Sequence, residues 1–558
     1  MDRQEHDNAS DQHLHSGSSF RVYSRLSRLT TTTKPVEYST PRASTQSPPP
    51  QKQTGSSNQH LSTLTNTKSD YPRRLSTLSP SSLTLAPAHF ATTTMIDISL
   101  QHDQFLEVVP TLVQPSLVEA LKSRVRAEME VTRPSADLPQ VQAFPVSQML
   151  QARLASFVPE SDDAEAENAF YVADLGEVYR QHLRWKALLP RIEPFFAMKC
   201  NPDPMVMRLL ASLGAGFDCA SKNEIQSVLD MGVDPSRIIY ANPCKQNSFV
   251  KYAYSNKVRM MTFDNAEELY KIKRFHPEAQ LVLRILTDDS KSLCKLGLKF
   301  GAPLDTTAGL LALAQELQLD VIGVSFHVGS GCFDANAFGE AVIRARRVFD
   351  QARDYGFDFK FLDVGGGFPS AHVTEGITFE KVAGILGPTV NSLFGPDVRV
   401  IAEPGRYFVG SAFTLATQVI ARRTVSTDVL AAAAAGELDQ TPSHMYYIND
   451  GMYGSFNCIM FDHQICEPKV LLRDGVYAYE SEYVNNGHHM GVASVWGPTC
   501  DSIDLISSKA VLPLMETGDW MYFENMGAYT ITAASQFNGF RRSEILYTTT
   551  EEEVLYHF

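Results

Sequence analysis

Between Pro194 and Gly405 the chain repeats one pattern: short runs of β-branched and aromatic residues alternate with amphipathic stretches long enough for a few helical turns. The runs are "FFAMKC", "GFDCAS", "RIIYANP", "VRMMTFD", "LVLRIL", "VIGVSFHVG", "FKFLDVGGG" and "VRVIAEPG", and stretches such as "NEIQSVLDMG" and "NAEELYKIKRF" separate them. Strands that alternate with helices imply crossover connections and a parallel sheet. Eight such units predict an α/β fold built on a (β/α)8 barrel, in which chemistry gathers at the C-terminal ends of the strands. After the eighth run the chain turns to shorter strands with turn signals, which predicts a β-rich domain.

The ends of the eight runs carry Lys199, Asp218, Arg284, His327, Gly365-Gly366-Gly367 and Glu403, the last followed by Gly405 and Arg406. Each alone has an ordinary reading: a solvated lysine, a core histidine, a glycine turn. A lysine ammonium is seldom buried without a partner, so their convergence on one barrel mouth points to a site. "DVGGGF" after the seventh run and "AEPGR" after the eighth fall where barrels build phosphate sites from backbone N–H groups. A phosphate site facing a lysine suggests pyridoxal phosphate, whose aldehyde forms a Schiff base with a lysine amine. Glu403 then suits the pyridine nitrogen, His327 the ring face, and Ser330 a phosphate oxygen.

Composition narrows the classes. The chain has 558 residues, 44% hydrophobic and 10% aromatic, enough for a sizeable core. No apolar run is long enough for a transmembrane helix. The eight cysteines are scattered without a CxxC pair, which predicts free thiols in the cytosol and no zinc or other metal site. Residues 1–94 hold ten Lys/Arg against six Asp/Glu although the whole chain carries −14, so the remainder is acidic and no nucleic-acid surface is expected. That N-terminal stretch is rich in Ser, Thr and Pro, lacks apolar periodicity and is predicted to be disordered. Its Arg/Ser content hints at a transit peptide, but the acidic opening "MDRQEHDNASD" argues against one, and Met95 is a candidate second start. A second low-complexity insert spans 424–444.

The ordered motifs "FFAMKCN", "GFDCASKNEI", "LRILTDDSKS", "FHVGSGC", "DVGGGFP", "AEPGRYFV", "NDGMYGSFNCIMFDH", "WGPTCDSID" and "ENMGAYT" resemble those of the eukaryotic ornithine decarboxylases, alanine-racemase-like (fold-type III) pyridoxal-phosphate enzymes. The resemblance runs from about Asp97 to Phe540. It implies Lys199 as the Schiff-base lysine, Glu403 at the pyridinium nitrogen and His327 on the ring. Ser330, Gly367, Gly405, Arg406 and Tyr529 would hold the phosphate, with Gly365 and Gly366 in the same loop. Asp218, Glu224 and Arg284 would support the site. Beyond the extension (1–94) read from composition, the family architecture joins a first segment (95–172) before the barrel (173–410) to a second (411–558) after it as one β-rich domain.

Family members are head-to-tail homodimers with shared active sites. By that resemblance Cys500 and Asp501 reach the other subunit's pocket, Cys500 as the acid that protonates Cα and Asp501 at the distal ammonium of L-ornithine. Asp462 serves its own subunit, beside Phe461. Phe461 stands where the family commonly has tyrosine, which removes a hydroxyl near the phosphate-binding arginine. The basic stretch from Asn247 to Phe275 matches the region that binds antizyme in the family. The resemblance leaves open a sister decarboxylase acting on lysine, arginine or diaminopimelate, although acids in "CDSID" disfavour the last. It also leaves open an inactive antizyme-inhibitor-like protein, against which Lys199, Asp218, Glu403, Arg406 and Cys500 all count.

Overall fold

The structure, a computed structural model, describes residues 115–129, 138–156, 167–373, 377–425, 442–481 and 490–558. The extension 1–94 and most of the 424–444 insert lie outside the described residues.

Eight parallel strands close into a barrel: β1 Ile192–Ala197, β2 Gly216–Cys219, β3 Ile238–Tyr240, β4 Met260–Phe263, β5 Gln280–Arg284, β6 Asp320–Ser325, β7 Phe361–Asp363 and β8 Arg399–Ala402. All eight runs named from the sequence supply one strand each. Closure comes from β8 pairing with β1, with Val400 opposite Ile192. The runs are continuously apolar because both strand faces are buried. Phe195, Ile239, Met260, Val282, Phe361 and Ile401 form one interior cluster, while alternate residues such as Phe196, Phe217, Leu281 and Leu362 pack outward into the main core. The barrel is therefore a filled core, and its chemistry is confined to the rim.

Local sequence sets the helices that return the chain. Asp203 caps Pro204–Ser212 by accepting from the N–H groups of Met205 and Val206, each at 3.0 Å, with proline at the first helical position. Its other oxygen accepts from the Tyr547 hydroxyl at 2.6 Å, which ties this barrel loop to the last strand of the chain. Asn265 caps Ala266–Phe275 in the same manner.

A second, mixed sheet joins strands from both sides of the barrel in the sequence. Phe170–Asp174 lies between Glu544–Thr548 and Phe413–Thr424. The chain thus enters the barrel after Asp174 and leaves it before Phe413 on adjacent antiparallel strands, Phe413 opposite Ala173. This places segments far apart in sequence in one β layer. Thr424 and His444 face each other across a second antiparallel pair, so the insert joins neighbouring strands Phe413–Thr424 and His444–Ile448. Among the described residues no helix is long and apolar enough to cross a membrane.

Candidate active site at the barrel mouth

β1 ends in a single tight turn, Met198–Cys200, that lifts Lys199 onto the rim. The turn is pinned on both sides: the Ala197 N–H donates to the Pro404 carbonyl at 3.1 Å, and the Tyr529 N–H to the Cys200 carbonyl at 2.9 Å. The Lys199 ammonium is ion-paired with Asp218, which is fully buried at β2. Burial alone would lower the Lys199 pKa, but Asp218, Glu403 and Tyr529 outweigh it and raise it above the ordinary lysine range. The lysine is thus held charged and aimed until something replaces its partners. The other Asp218 oxygen meets no donor.

His327 follows β6. Its Nδ1 accepts from the Gly329 N–H at 2.9 Å, and burial, reinforced by the nearby Arg284 and Lys199 charges, holds its pKa well below the usual range. The ring is neutral and fixed in plane. Gly366 lies directly beside it: a Cβ there would sit 2.8 Å from His327 Nε2 and 2.7 Å from the Glu403 carbonyl. Gly367 has φ +102°, a conformation that L side chains rarely adopt. The Gly365–Gly367 run is therefore required by close backbone approach at the rim.

Arg406 follows Gly405 at the start of the short helix Arg406–Val409. It donates to Ser330 Oγ at 2.8 Å and to both Asp462 oxygens at 2.9 and 2.7 Å, and its guanidinium lies 5.3 Å from the Tyr529 ring centroid. A cavity of about 290 Å³ is lined by Ser330, Gly367, Arg406 and Asp462, and an adjoining one of about 390 Å³ by Arg406, Asp462, Glu467 and Glu524. Arg284, at the end of β5, lies over the Phe300 ring.

The structure therefore brings Lys199, Asp218, Arg284, His327, Ser330, the three glycines, Glu403, Gly405, Arg406, Asp462 and Tyr529 to one rim. Glu224 is anchored behind them, accepting from the Ala220 N–H. It does not bring Cys500, Asp501 or Phe461 into that set. Cys500 is exposed, Phe461 is 65% exposed, and Asp501 accepts from the Tyr453 hydroxyl at 2.6 Å, which holds its carboxyl below the ordinary range. Asp363 was not singled out from the sequence, although it precedes the glycine run in "DVGGGF". It is fully buried at the end of β7, where it accepts from the Gly365 N–H at 2.8 Å. Burial, followed by Asp363 and Asp218, raises the Glu403 pKa well above the carboxylate range.

These residues fit pyridoxal phosphate. The close-packed glycine loop with Ser330 and Arg406 is a donor set for a phosphate. Lys199 supplies an amine, and Glu403 and Asp218 are buried carboxyls suited to a cationic ring nitrogen and the cofactor's polar edge.

Comparison with known proteins agrees. Residues 175–410 match the family described as "Pyridoxal-dependent decarboxylase, pyridoxal binding domain". The chain is 52% identical over 385 residues to the ornithine decarboxylase of Schizosaccharomyces pombe, covering 69% of this chain and 84% of that one. It is 51% identical over 396 residues to antizyme inhibitor 2 of Xenopus laevis, covering 71% and 84%. The arginine decarboxylase of Paramecium bursaria Chlorella virus, solved bound to agmatine, superposes with a TM-score of 0.64 at 32% identity, over 72% of this chain and all of that one. The barrel, the lysine-bearing rim and half-identity across most of these relatives lead to one assignment: the chain belongs to the pyridoxal-dependent ornithine decarboxylase family.

Proposed function

We propose that the protein decarboxylates L-ornithine to putrescine and CO2, working as a homodimer with two shared active sites. The observation that carries the reading is the charged Lys199 held at the barrel rim by Asp218, with the Gly365–Gly367 loop, Ser330 and Arg406 completing a phosphate cradle.

Bound pyridoxal phosphate supplies an electron sink for the pair left at Cα when the bond to the carboxylate breaks. The protein does the rest. Lys199 is the amine that would hold the cofactor covalently, kept charged until then by its pair with Asp218. The neutral His327 ring would lie against one face of the cofactor's ring, and Glu403 would face the ring nitrogen. Arg406, Ser330, Tyr529 and the loop N–H groups would take the phosphate, while Arg284 and Asp218 would brace the ring's surroundings. Asp462 uses one lone pair per oxygen on Arg406, and a carboxylate has about four in all, so two remain for the substrate's distal ammonium.

Cα must finally gain a proton, and Cys500 is the donor in this reading. It is exposed on its own protomer, as are the apolar side chains of Phe461, Met460 and Ile503. Apolar side chains left open around a functional rim fit burial by a second copy, which would deliver Cys500 and Asp501 to the opposite Lys199.

Lysine is one methylene longer than ornithine, a difference worth about 1–3 kcal/mol in discrimination, so weak lysine turnover accompanies the main activity. An antizyme-type acidic protein is the proposed regulatory partner, on the exposed Lys251, Lys257, Arg259 and Arg274. The cytosol, suggested by eight free thiols, is the proposed compartment. The test is CO2 release from ornithine with and without added pyridoxal phosphate, read beside the absorption of bound cofactor. Cofactor-dependent release supports the enzyme. Absence of both signals is the behaviour of an antizyme-inhibitor-like binding protein and refutes the proposal.

A further inference from the structure

The turn that carries His327 leaves the barrel after β6, and two of its carbonyls are taken up by side chains from the loop that follows β5. Thr287 donates its hydroxyl to the His327 carbonyl at 2.9 Å, and Ser292 donates to the next carbonyl, that of Val328, at 2.6 Å. Both residues are buried, 7% and 6% exposed. Ser292 opens the short strand Ser292–Cys294, which pairs antiparallel with Ser330–Cys332, Cys294 opposite Ser330. Gly329 packs against the first of these strands: a Cβ there would sit 2.6 Å from Ser292 Cβ and 3.0 Å from the Cys294 carbonyl. The Gly329 carbonyl in turn lies 2.6 Å from where a Cβ on Gly367 would stand. His327 is thus fixed at both ends. Thr287 holds its carbonyl, and its Nδ1 accepts from the N–H of Gly329, which Ser292 seats. Buried carbonyls seldom go without a donor, so a chain lacking either hydroxyl has to shift this turn until another donor reaches the freed oxygen.

We propose that Thr287 and Ser292 are positioning residues of the site: Thr287 sets the His327 ring for the cofactor's ring, and Ser292 sets the Gly329–Ser330 backbone so that Ser330 Oγ stands beside Arg406 for the phosphate. The proposal rests on the roles of His327 and Ser330 given above. The two hydroxyls divide the work because His327 comes before Gly329 in the turn and Ser330 after it. Ser330 Oγ accepts from Arg406 at 2.8 Å, so its place is sensitive to the ribbon that Ser292 opens. In a variant the turn relaxes in the free protein, and binding has to draw it back. The cost of the missing donor then appears as lost affinity for whichever part of the cofactor that hydroxyl serves.

The test reads binding to the full chain stripped of cofactor, so it needs no turnover. Pyridoxal-phosphate affinity is taken from an absorption titration, and inorganic phosphate is the competing probe for the phosphate cradle alone. Thr287→Val keeps the side chain's shape and loses the hydroxyl. It is expected to weaken pyridoxal phosphate about 5- to 50-fold, the size of a buried acceptor left without its donor, and to leave inorganic phosphate within about twofold. Thr287→Ser restores the donor and should restore the affinity. Ser292→Ala should weaken both ligands by about 5- to 50-fold. A role in folding alone would move both ligands together in Thr287→Val, or neither. Thr287→Val with wild-type affinity, with phosphate lost in step with the cofactor, or without rescue by Thr287→Ser overturns the proposal, and so does Ser292→Ala that binds inorganic phosphate normally. If Thr287→Val does not fold, Thr287→Ala beside Thr287→Ser is read in the same way. Failure of wild-type turnover on ornithine would count against the proposed function and leave these affinities untouched.

Discussion

Asp462 closes on Arg406 through both carboxylate oxygens, at 2.7 and 2.9 Å, while Arg406 also reaches Ser330. The guanidinium cannot be given to a phosphate without the carboxylate feeling it, so cofactor and substrate affinity are coupled through this pair. Asp462→Ala is expected to raise the KM for ornithine by about 10- to 100-fold, the worth of one charge-assisted hydrogen bond, with a smaller effect on kcat. It also frees Arg406 for phosphate, so pyridoxal-phosphate affinity should hold or improve. Steady-state kinetics beside a cofactor titration checks both. Unchanged KM removes Asp462 from the substrate site.

Lys199 and Cys500 belong to separate regions of one protomer, which makes the shared-site reading testable by complementation. Lys199→Ala and Cys500→Ala should each be inactive or nearly so, the latter reduced by about 10²–10⁴-fold, as for loss of a positioned acid. After mixing, random exchange makes half the dimers mixed with one intact site each, so activity should recover to about a quarter of wild type. No recovery despite demonstrated exchange contradicts a shared site.

His182 bears on acid stability. It is buried in Leu175–Leu188 against Phe408, 6.4 Å between ring centroids, and neither ring nitrogen has a partner. Burial, then the charge of Lys186, lowers its pKa to about 3. A base with a depressed folded pKa stabilises above its unfolded value and loses that contribution as pH falls, here from near 6.5 towards 3, at about 1.4 kcal/mol per pH unit. His182→Phe should therefore flatten the fall in stability below pH ~6.5. Denaturant melts at two pH values check it, and an unaltered slope refutes it.

The basic stretch from Asn247 to Phe275 needs selective mutation. Lys271 bonds to Glu268, which is buried and also paired with the buried Lys245 at 2.9 Å. Reversing Lys271 would strain that pair and confuse folding with binding. Reversal of the exposed Lys257 and Arg274 should abolish capture of an antizyme-type partner while leaving the melting temperature unchanged. Retained capture refutes the surface.

The barrel was legible because each strand is apolar on both faces and each is followed by a helix-period stretch, so two periods alternate visibly. The rim residues were legible because strand ends are where the topology exposes chemistry. Other relations were not. The Arg406–Asp462 pair joins residues 56 apart across two domains, and the Tyr529 N–H bond to Cys200 depends on a backbone turn with φ +56°. Asp363 lay inside a quoted motif but read as the last residue of a strand, and only the fold shows it fully buried there with the Gly365 N–H on one oxygen. Cys200, beside Lys199 in sequence, is no rival nucleophile: burial pushes its thiol up to about 12. Cys500 and Phe461 stand outside the rim set of one protomer, and in the proposed shared site a second copy would supply the other half of their contacts.

The central claim is chemical, and a single competition measures it. The purified chain, with pyridoxal phosphate, is given equimolar L-ornithine, L-lysine and L-arginine, and the amine products are quantified against a Lys199→Ala control. The account predicts putrescine as the dominant product, a minor yield of the lysine-derived diamine, and no product from the Lys199 variant. Product chiefly from lysine or arginine, or undiminished putrescine without Lys199, would contradict it.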